Sequence, residues 1–348
     1  MVIPELDFFI FGAGARHKFL YRKGQLLDVL TDETVFAGDM VQEVVNPPAY
    51  TVRFTTAEGD IIVIREDEHG IMLEHDADVQ SLSALPVNLP TFEGHPHETL
   101  LRILHHEILV NILPQGPVPN LFAYSRPWYR EAAMAAMVLQ RTGNLHLIRD
   151  WVRSLCEPFD QNNAGVCAPD NLGQILYLIA LTHDQTHPLV PTILTTIPQF
   201  VHEDHGHGSY ISGLTDGAPH PIYQTQWLKF GLRALGLDDP FVVPWLEDSY
   251  AALCWWASVS DYIGKPGGYH ANEENRPHLA WAEAHFFRQP PPLHLAGPKY
   301  PLSWEAQSPH ADYEGMRRVA LPFEDQKLCM PHSWHAAEMF LYLYEQPS

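Results

Sequence analysis

The hydrophobic pattern changes period once along the chain, near residue 90, and that change limits the fold more than any single motif. Before it, apolar residues come in short β-branched or aromatic runs: Phe8 to Phe11, Lys18 to Tyr21, Tyr50 to Thr55, Ile61 to Arg65 and Ile71 to Glu74. Turn residues separate them at Gly12-Ala13-Gly14, Arg22-Lys23-Gly24, Glu58-Gly59-Asp60 and His69-Gly70. Runs of that length and punctuation predict a small antiparallel sheet or sandwich. Gly12 and Gly14 lack the third glycine and the following helix of a dinucleotide-binding loop, which argues against a Rossmann reading.

The proline-bearing segment from Leu85 to Pro96 closes that region, and the spacing then turns helical. Helices are predicted over 97–113, 128–142, 146–156, 171–183, 188–200, 222–236, 244–260, 277–288 and 331–345, with a weaker candidate near 312–319. A chain of 348 residues accommodates two domains. The expected division is a β domain over 1–92 and a helical domain over 97–348.

The helices are of two kinds. Some start plainly and are amphipathic, as over 146–156. Others follow long loops and open with aromatic, His, amide or carboxylate residues: Arg126 to Glu131, Asp170 to Gln174, His220 to Trp227, Pro277 to His285 and Pro331 to Glu338. Alternation of plain and decorated helices predicts outer and inner helices, with the inner N-termini meeting at one mouth. The expected class is therefore mainly α, a toroid of helical hairpins. No fixed-period consensus supports an open solenoid.

Phe122 to Gly143 shows the pattern most clearly. Pro127 suits a first helical turn, the run Ala132 to Leu139 is apolar nearly all round, and Gly143 ends it. The first turn presents Arg126, Trp128, Arg130 and Glu131, so a buried helix opens onto a polar pocket. Asp170 stands at an N-cap position, with Asn171 and Gln174 within one turn and Gln224 at the start of a later helix. Pro277-His278 with Trp281 and Glu283 parallels Pro331-His332 with Trp334, His335 and Glu338. Trp334 and Glu338 are four apart and share a face, so a stacking ring and a carboxylate can meet one ligand. His202-Glu203-Asp204-His205-Gly206-His207 is rich in metal-ligand types but has no helical His pair, and Gly206 with the following Gly208 predicts a solvated loop. No metal and no cofactor are expected.

Composition narrows the partners. Hydrophobic residues make up 46% and charged residues 18%, as in a globular chain. A formal net charge of −21 leaves no basic stripe for nucleic acid. The start MVIPELDFF has no secretory pattern and no apolar run reaches membrane-spanning length. Cys156, Cys167, Cys254 and Cys329 show no C-x-x-C spacing and read as reduced thiols of a cytoplasmic protein. With 21 His, 9 Trp and 14 Tyr, the chain is supplied with rings of the kind that stack on sugars or other neutral polar ligands, though core packing also consumes them. Oligomeric state is not encoded in any of these features.

The W-x-R-E-x-A start at Trp128 to Ala132, the D-N-L-G-Q start at Asp170 and the P-H-x-W-H-x-x-E start at Pro331 resemble inner-helix motifs of the six-hairpin, (α/α)6-barrel glycosidases. The small β domain ahead of a toroid is similar to the glucoamylase and maltose-phosphorylase arrangement. The resemblance covers about residues 97 to 346 and implies a site at the barrel mouth, where two carboxylates act as acid and base in inverting hydrolysis. Glu131, Asp170, Glu283 and Glu338 are the candidates, with Asp170 and Glu338 the favoured pair. Glu131, held by Arg126 or Arg130, would orient substrate. The loop immediately before Asp170, Cys167-Ala168-Pro169, brings no other acid. The leading expectation is a glycoside hydrolase acting on a small oligosaccharide or glycoside. Sugar epimerase or uronic-acid lyase chemistry through His278, His332 or His335 is a second expectation, and a non-catalytic carbohydrate-binding scaffold a third.

Overall fold

The computed structural model describes residues 8–162, 164–204, 206, 208–246, 248, 250, 305–306, 313–317, 319, 321–329 and 333–344. The chain divides into two compact units. One comprises Met1–Arg126, Arg141–Leu147 and Trp304–Ser348; the other comprises Pro127–Gln140 and Ile148–Ser303.

The first unit holds two antiparallel meanders. Strands β1 (Phe9–Phe11), β2 (Phe19–Arg22), β3 (Gln25–Asp28) and β4 (Thr34–Ala37) form one sheet in chain order. Strands β5 (Met40–Asn46), β6 (Thr51–Thr56), β7 (Ile61–Glu66), β8 (Ile71–His75) and β9 (Asp78–Ser83) form the other. Register puts Val52 opposite Ile64 and Phe54 opposite Ile62, so period-2 alternation aligns one apolar face. Phe54 meets Tyr21 at 5.6 Å and Phe36 at 5.9 Å between ring centroids, which joins the two sheets in one core.

Glu66 ends β7 at an inward position and is buried. Its oxygens accept the N–H groups of Gly12 (2.9 Å) and Ala13 (2.6 Å) and pair with Arg16 at 2.9 Å. Gly12 has φ +125°, and a Cβ there would lie 2.3 Å from the His17 carbonyl oxygen, so only glycine fits. The glycine turn is thus a cradle for the protein's own carboxylate. Burial pushes Glu66 up, but His106, the Gly12 N–H and Arg16 together bring it down to about 2. Helix α1 (Glu98–Val110) covers this region: its His106 ring stacks on Phe9 (5.1 Å) and on Tyr50 (4.8 Å). Helix α9 (Ser333–Tyr344) lies against α1, with Phe340 6.1 Å from His105. Short pieces complete the unit: β10 (Ile112–Leu113) with β11 (Gly116–Pro117), β16 (Glu305–Ala306) with β17 (Leu328–Cys329), α7 (Tyr313–Met316) and α8 (Leu321–Gln326).

The second unit is built on α2 (Tyr129–Arg141), α3 (His146–Ser154), α4 (Asp170–Thr182), α5 (Leu189–Thr196) and α6 (Pro221–Ala234), though α2 and α3 each have an end in the first. Helices α4 and α6 pack backbone to backbone at Gly173 and Gly231. A Cβ on Gly173 would lie 2.2 Å from the Trp227 carbonyl, and one on Gly231 2.3 Å from the Gly173 oxygen. Two hairpins, β12 (Val201–Asp204) with β13 (Gly208–Ile211) and β14 (Leu214–Thr215) with β15 (Ala218–Pro219), lead into α6.

The expected mainly α toroid is not what the chain forms. Among the described residues about 37% are helical and 24% lie in strands, and no (α/α)6 toroid is evident. The likeness to barrel glycosidases is overturned with it. The reason is local: decorated helix starts report capping and loop contacts, which any helix needs, whereas a toroid requires an unbroken succession of hairpins. Here β-hairpins interrupt that succession, and α7 and α8 run only four and six residues. Of the stretch expected as a solvated loop, His202 to Asp204 lies in a strand, Val201–Asp204, that pairs with Gly208–Ile211, His202 opposite Tyr210. No helix of the described residues is long and apolar enough to cross a membrane.

Candidate active site

Three helices of the second unit, α2, α4 and α6, bring their first turns and preceding loops to one region. Each N-terminus offers unsatisfied N–H groups and a positive dipole end, which suits carboxylates. Asp170, first residue of α4, is buried. Its Oδ2 accepts Gln174 Nε2 at 2.9 Å and its Oδ1 accepts the Thr215 hydroxyl at 2.6 Å. Thr215 Oγ1 in turn accepts Gln224 Nε2 at 2.8 Å, and Asn171 Nδ2 donates to Gln174 Oε1 at 3.0 Å. The amides expected to bind substrate are therefore buried, and each hydrogen-bonds within this network. Burial raises the Asp170 carboxyl, opposed by the Thr215 hydrogen bond and Arg130.

Arg130, from the first turn of α2, reaches Asp216 at 2.9 Å and Glu131 at 3.6 Å, and lies 5.8 Å over the Trp128 ring. Burial opposes its charge, but Glu131 and Asp216 keep its pKa well above the ordinary value. Asp216 accepts the Tyr250 hydroxyl at 3.1 Å and is 35% exposed on its side chain. Burial pushes it up, yet Arg130 and Tyr250 hold it below the usual carboxylate range.

Asp160 lies on the loop before α4 and caps α2 from outside. It accepts the Tyr129 N–H at 2.7 Å and the Asn162 N–H at 3.0 Å, and its own N–H donates to Asn171 Oδ1 at 3.2 Å. Burial raises its carboxyl to about 6, with Glu131 and Asp170 adding to the rise, in spite of the two N–H donors. Asp160 opens into a cleft of about 460 Å³ whose walls include Tyr129, Trp151, Phe159 and Gln161.

His220 precedes Pro221 at the start of α6. Its Nδ1 is 3.0 Å from Asp248 Oδ1, and its ring stacks on Tyr250 with centroids 3.8 Å apart and planes 5° apart. Asp248 also accepts the N–H groups of Tyr223 (2.9 Å) and Tyr250 (2.7 Å).

The region thus assembles Trp128, Arg130, Glu131, Asp170, Asn171, Gln174 and Gln224 from the residues expected at the site. Arg126 is exposed and falls in the first unit. Glu338, Trp334 and His335 lie on α9 of the first unit, where Glu338 and Trp334 are buried. His278, Trp281, Glu283 and His332 lie outside the described residues. Sequence reading misses Asp160, Thr215, Asp216, Asp248 and Tyr250, and marks His220 only as the start of a decorated helix. Asp160-x-Asn162 and Asp216-Gly217 are turn signals, and those two turns are where the missing acids stand. For a metal, the described residues offer one group, Asp60, His75 and Asp76 on the first unit, with ligand atoms within 4.8 Å of one another and two of the three exposed. No family model matches the sequence, and neither a curated protein nor a solved structure matches it.

Proposed function

We propose that the second unit is a carbohydrate-active enzyme that hydrolyses the glycosidic bond of a small, uncharged oligosaccharide or glycoside. The observation behind this reading is Asp160, a carboxyl raised to about 6 at the edge of an aromatic-walled cleft, in a region where Asp216 is held below the usual carboxylate range. Groups of one chemical type whose environments push their pKa values apart can divide the acid and stabilising roles. Asp160 donates its proton to the leaving oxygen. Asp216, held in place by Arg130, supplies negative charge against the cation that develops at the anomeric carbon. Trp151, Tyr129 and Phe159 offer apolar faces for a sugar ring.

The test is a panel of chromogenic glycosides and free sugars, with product detection that also registers isomerisation. Asp160→Asn is expected to lower kcat on the hydrolysed glycoside by about 100-fold or more. Full activity in that variant removes Asp160 as acid. Isomerisation without hydrolysis points to the epimerase class, and binding without turnover to the scaffold.

A further inference from the structure

We infer that His220 is the proton acceptor of this site, its Nε2 taking a proton from the attacking water. The assignment rests on the proposed hydrolysis for its reaction, but its geometry stands apart from that reading.

Asp248 determines the tautomer. A carboxylate is an acceptor, and Asp248 already takes backbone N–H groups from Tyr223 at 2.9 Å and Tyr250 at 2.7 Å. The 3.0 Å contact to His220 is therefore N–H to O, and the ring proton sits on Nδ1. The other nitrogen, Nε2, is left with its lone pair and has no hydrogen-bond partner among the described residues. The residue as a whole is 4% exposed. Turning the ring to find a partner costs the Asp248 contact, and any turn short of a half-rotation also costs the 3.8 Å stack on Tyr250. Immobilisation with one bare acceptor is what a positioned base requires, and Asp248 stands ready to stabilise the imidazolium once formed.

Connectivity ties the ring to the carboxylates. The hydroxyl of Tyr250, the ring stacked on His220, donates to Asp216 at 3.1 Å, and Asp216 pairs with Arg130. On α6, the turn after His220 carries Gln224, which is bonded to Thr215 and through it to Asp170. In the step, water loses a proton to Nε2 while its oxygen bonds to the anomeric carbon. The glycosidic C–O bond breaks, and the leaving oxygen takes the Asp160 proton. Solvent returns the imidazolium proton to Asp160. His220 thus fills the place that a second carboxylate holds in two-carboxylate inverting chemistry.

The experiment uses the full chain in two arms. With ¹⁵N-labelled histidine, the His220 signal is identified by its loss in His220→Phe, a variant that keeps a ring for the Tyr250 stack. Long-range proton–nitrogen correlation is expected to show Nδ1 protonated and Nε2 bare, with that pattern lost in Asp248→Asn. A protonated Nε2 in the wild-type chain overturns the inference whatever the activity. In the kinetic arm, on the glycoside the wild-type chain hydrolyses, His220→Phe and His220→Gln are each expected to cut kcat by about 100-fold with KM within about threefold. If both retain wild-type kcat while Asp160→Asn is inactive, the base assignment fails and hydrolysis stands. If the wild-type chain hydrolyses no glycoside, the proposed function fails and the step fails with it. Circular dichroism on each variant separates lost chemistry from lost fold.

Discussion

At the scale of single residues, Asp160 sets two roles against each other, and pH separates them. As a cap it accepts two N–H groups, which favours the ionised form, but burial beside Glu131 and Asp170 raises the carboxyl from 3.8 to about 6. A raised folded-state pKa means the native chain binds the extra proton. The stability this provides is full below the unfolded value near 4 and lost as pH rises through about 6. Asp160→Asn removes the titration and leaves an amide facing one donor, at a pH-independent cost of about 1 kcal/mol. The penalty of the variant, measured by urea denaturation, is therefore expected to be larger near pH 4 than near pH 7.5. A penalty that grows with pH instead shows that capping outweighs burial. Asp170 also has a donor on each oxygen, here the side chains of Gln174 and Thr215. Asp170→Asn points an NH2 at one of them and is expected to cost about 1–3 kcal/mol, read as a lower melting temperature. A variant as stable as wild type would mean that the Thr215 or Gln174 contact reorganises freely.

Among elements, the α4–α6 crossing is the contact that places both Asp170 and Gln224. With the Trp227 carbonyl 2.2 Å from where a Gly173 Cβ would sit, Gly173→Ala forces the helices apart. The expected loss is about 3 kcal/mol, with lower activity because the first turns move together. Gly217 has φ +83° but open space around it, so Gly217→Ala is a control limited to backbone strain of about 1 kcal/mol. Equal effects from the two would refute close packing at the crossing. The same contrast explains what can be read from sequence. Strands β1, β2, β6, β7 and β8 are legible because Phe, Val and Ile mark their buried faces. Strands β5 and β9 are not, since Gln42, Glu43, Gln80 and Ser81 give them the look of loops and they lie at sheet edges. Starts of α4, α6 and α9 fall within two residues of expectation, because Pro, Asp and Ser are chosen locally for first turns. Asp170, Gln174 and Gln224 are legible for that reason. Asp160 and Asp216 are not: Arg130 meets Asp216 across 86 residues of chain, and no local pattern reports a pairing at that distance.

For the whole molecule, the two units are not consecutive pieces of chain, and this bears on where it can be cut. The proline-bearing segment from Leu85 to Pro96 looks like a linker, yet contacts of the first unit run through and past it. Asn88 exchanges hydrogen bonds with Asn144 and donates to the Thr142 carbonyl at 2.6 Å. The Gly14 N–H donates to the Leu109 carbonyl at 2.9 Å, and the Tyr50 hydroxyl to the Arg102 carbonyl at 3.0 Å. Helix α1 therefore depends on the sheets, and α9 on α1. A fragment of residues 97–348 strips Phe9, Tyr50 and Glu66 from His106. Exposing each large apolar side chain so uncovered costs about 1.5–3 kcal/mol, against a domain stability of about 5–15 kcal/mol. The fragment is expected to lose the helical signal of α1 and α9 in circular dichroism and to melt over a broad range. Glu66→Gln tests the same dependence in the full chain: it leaves Arg16 buried without its countercharge, at an expected cost of about 3–5 kcal/mol. A fragment that melts sharply with the helical content of the intact region would instead locate a true domain boundary at 92–97 and confine the role of Glu66 to the sheets.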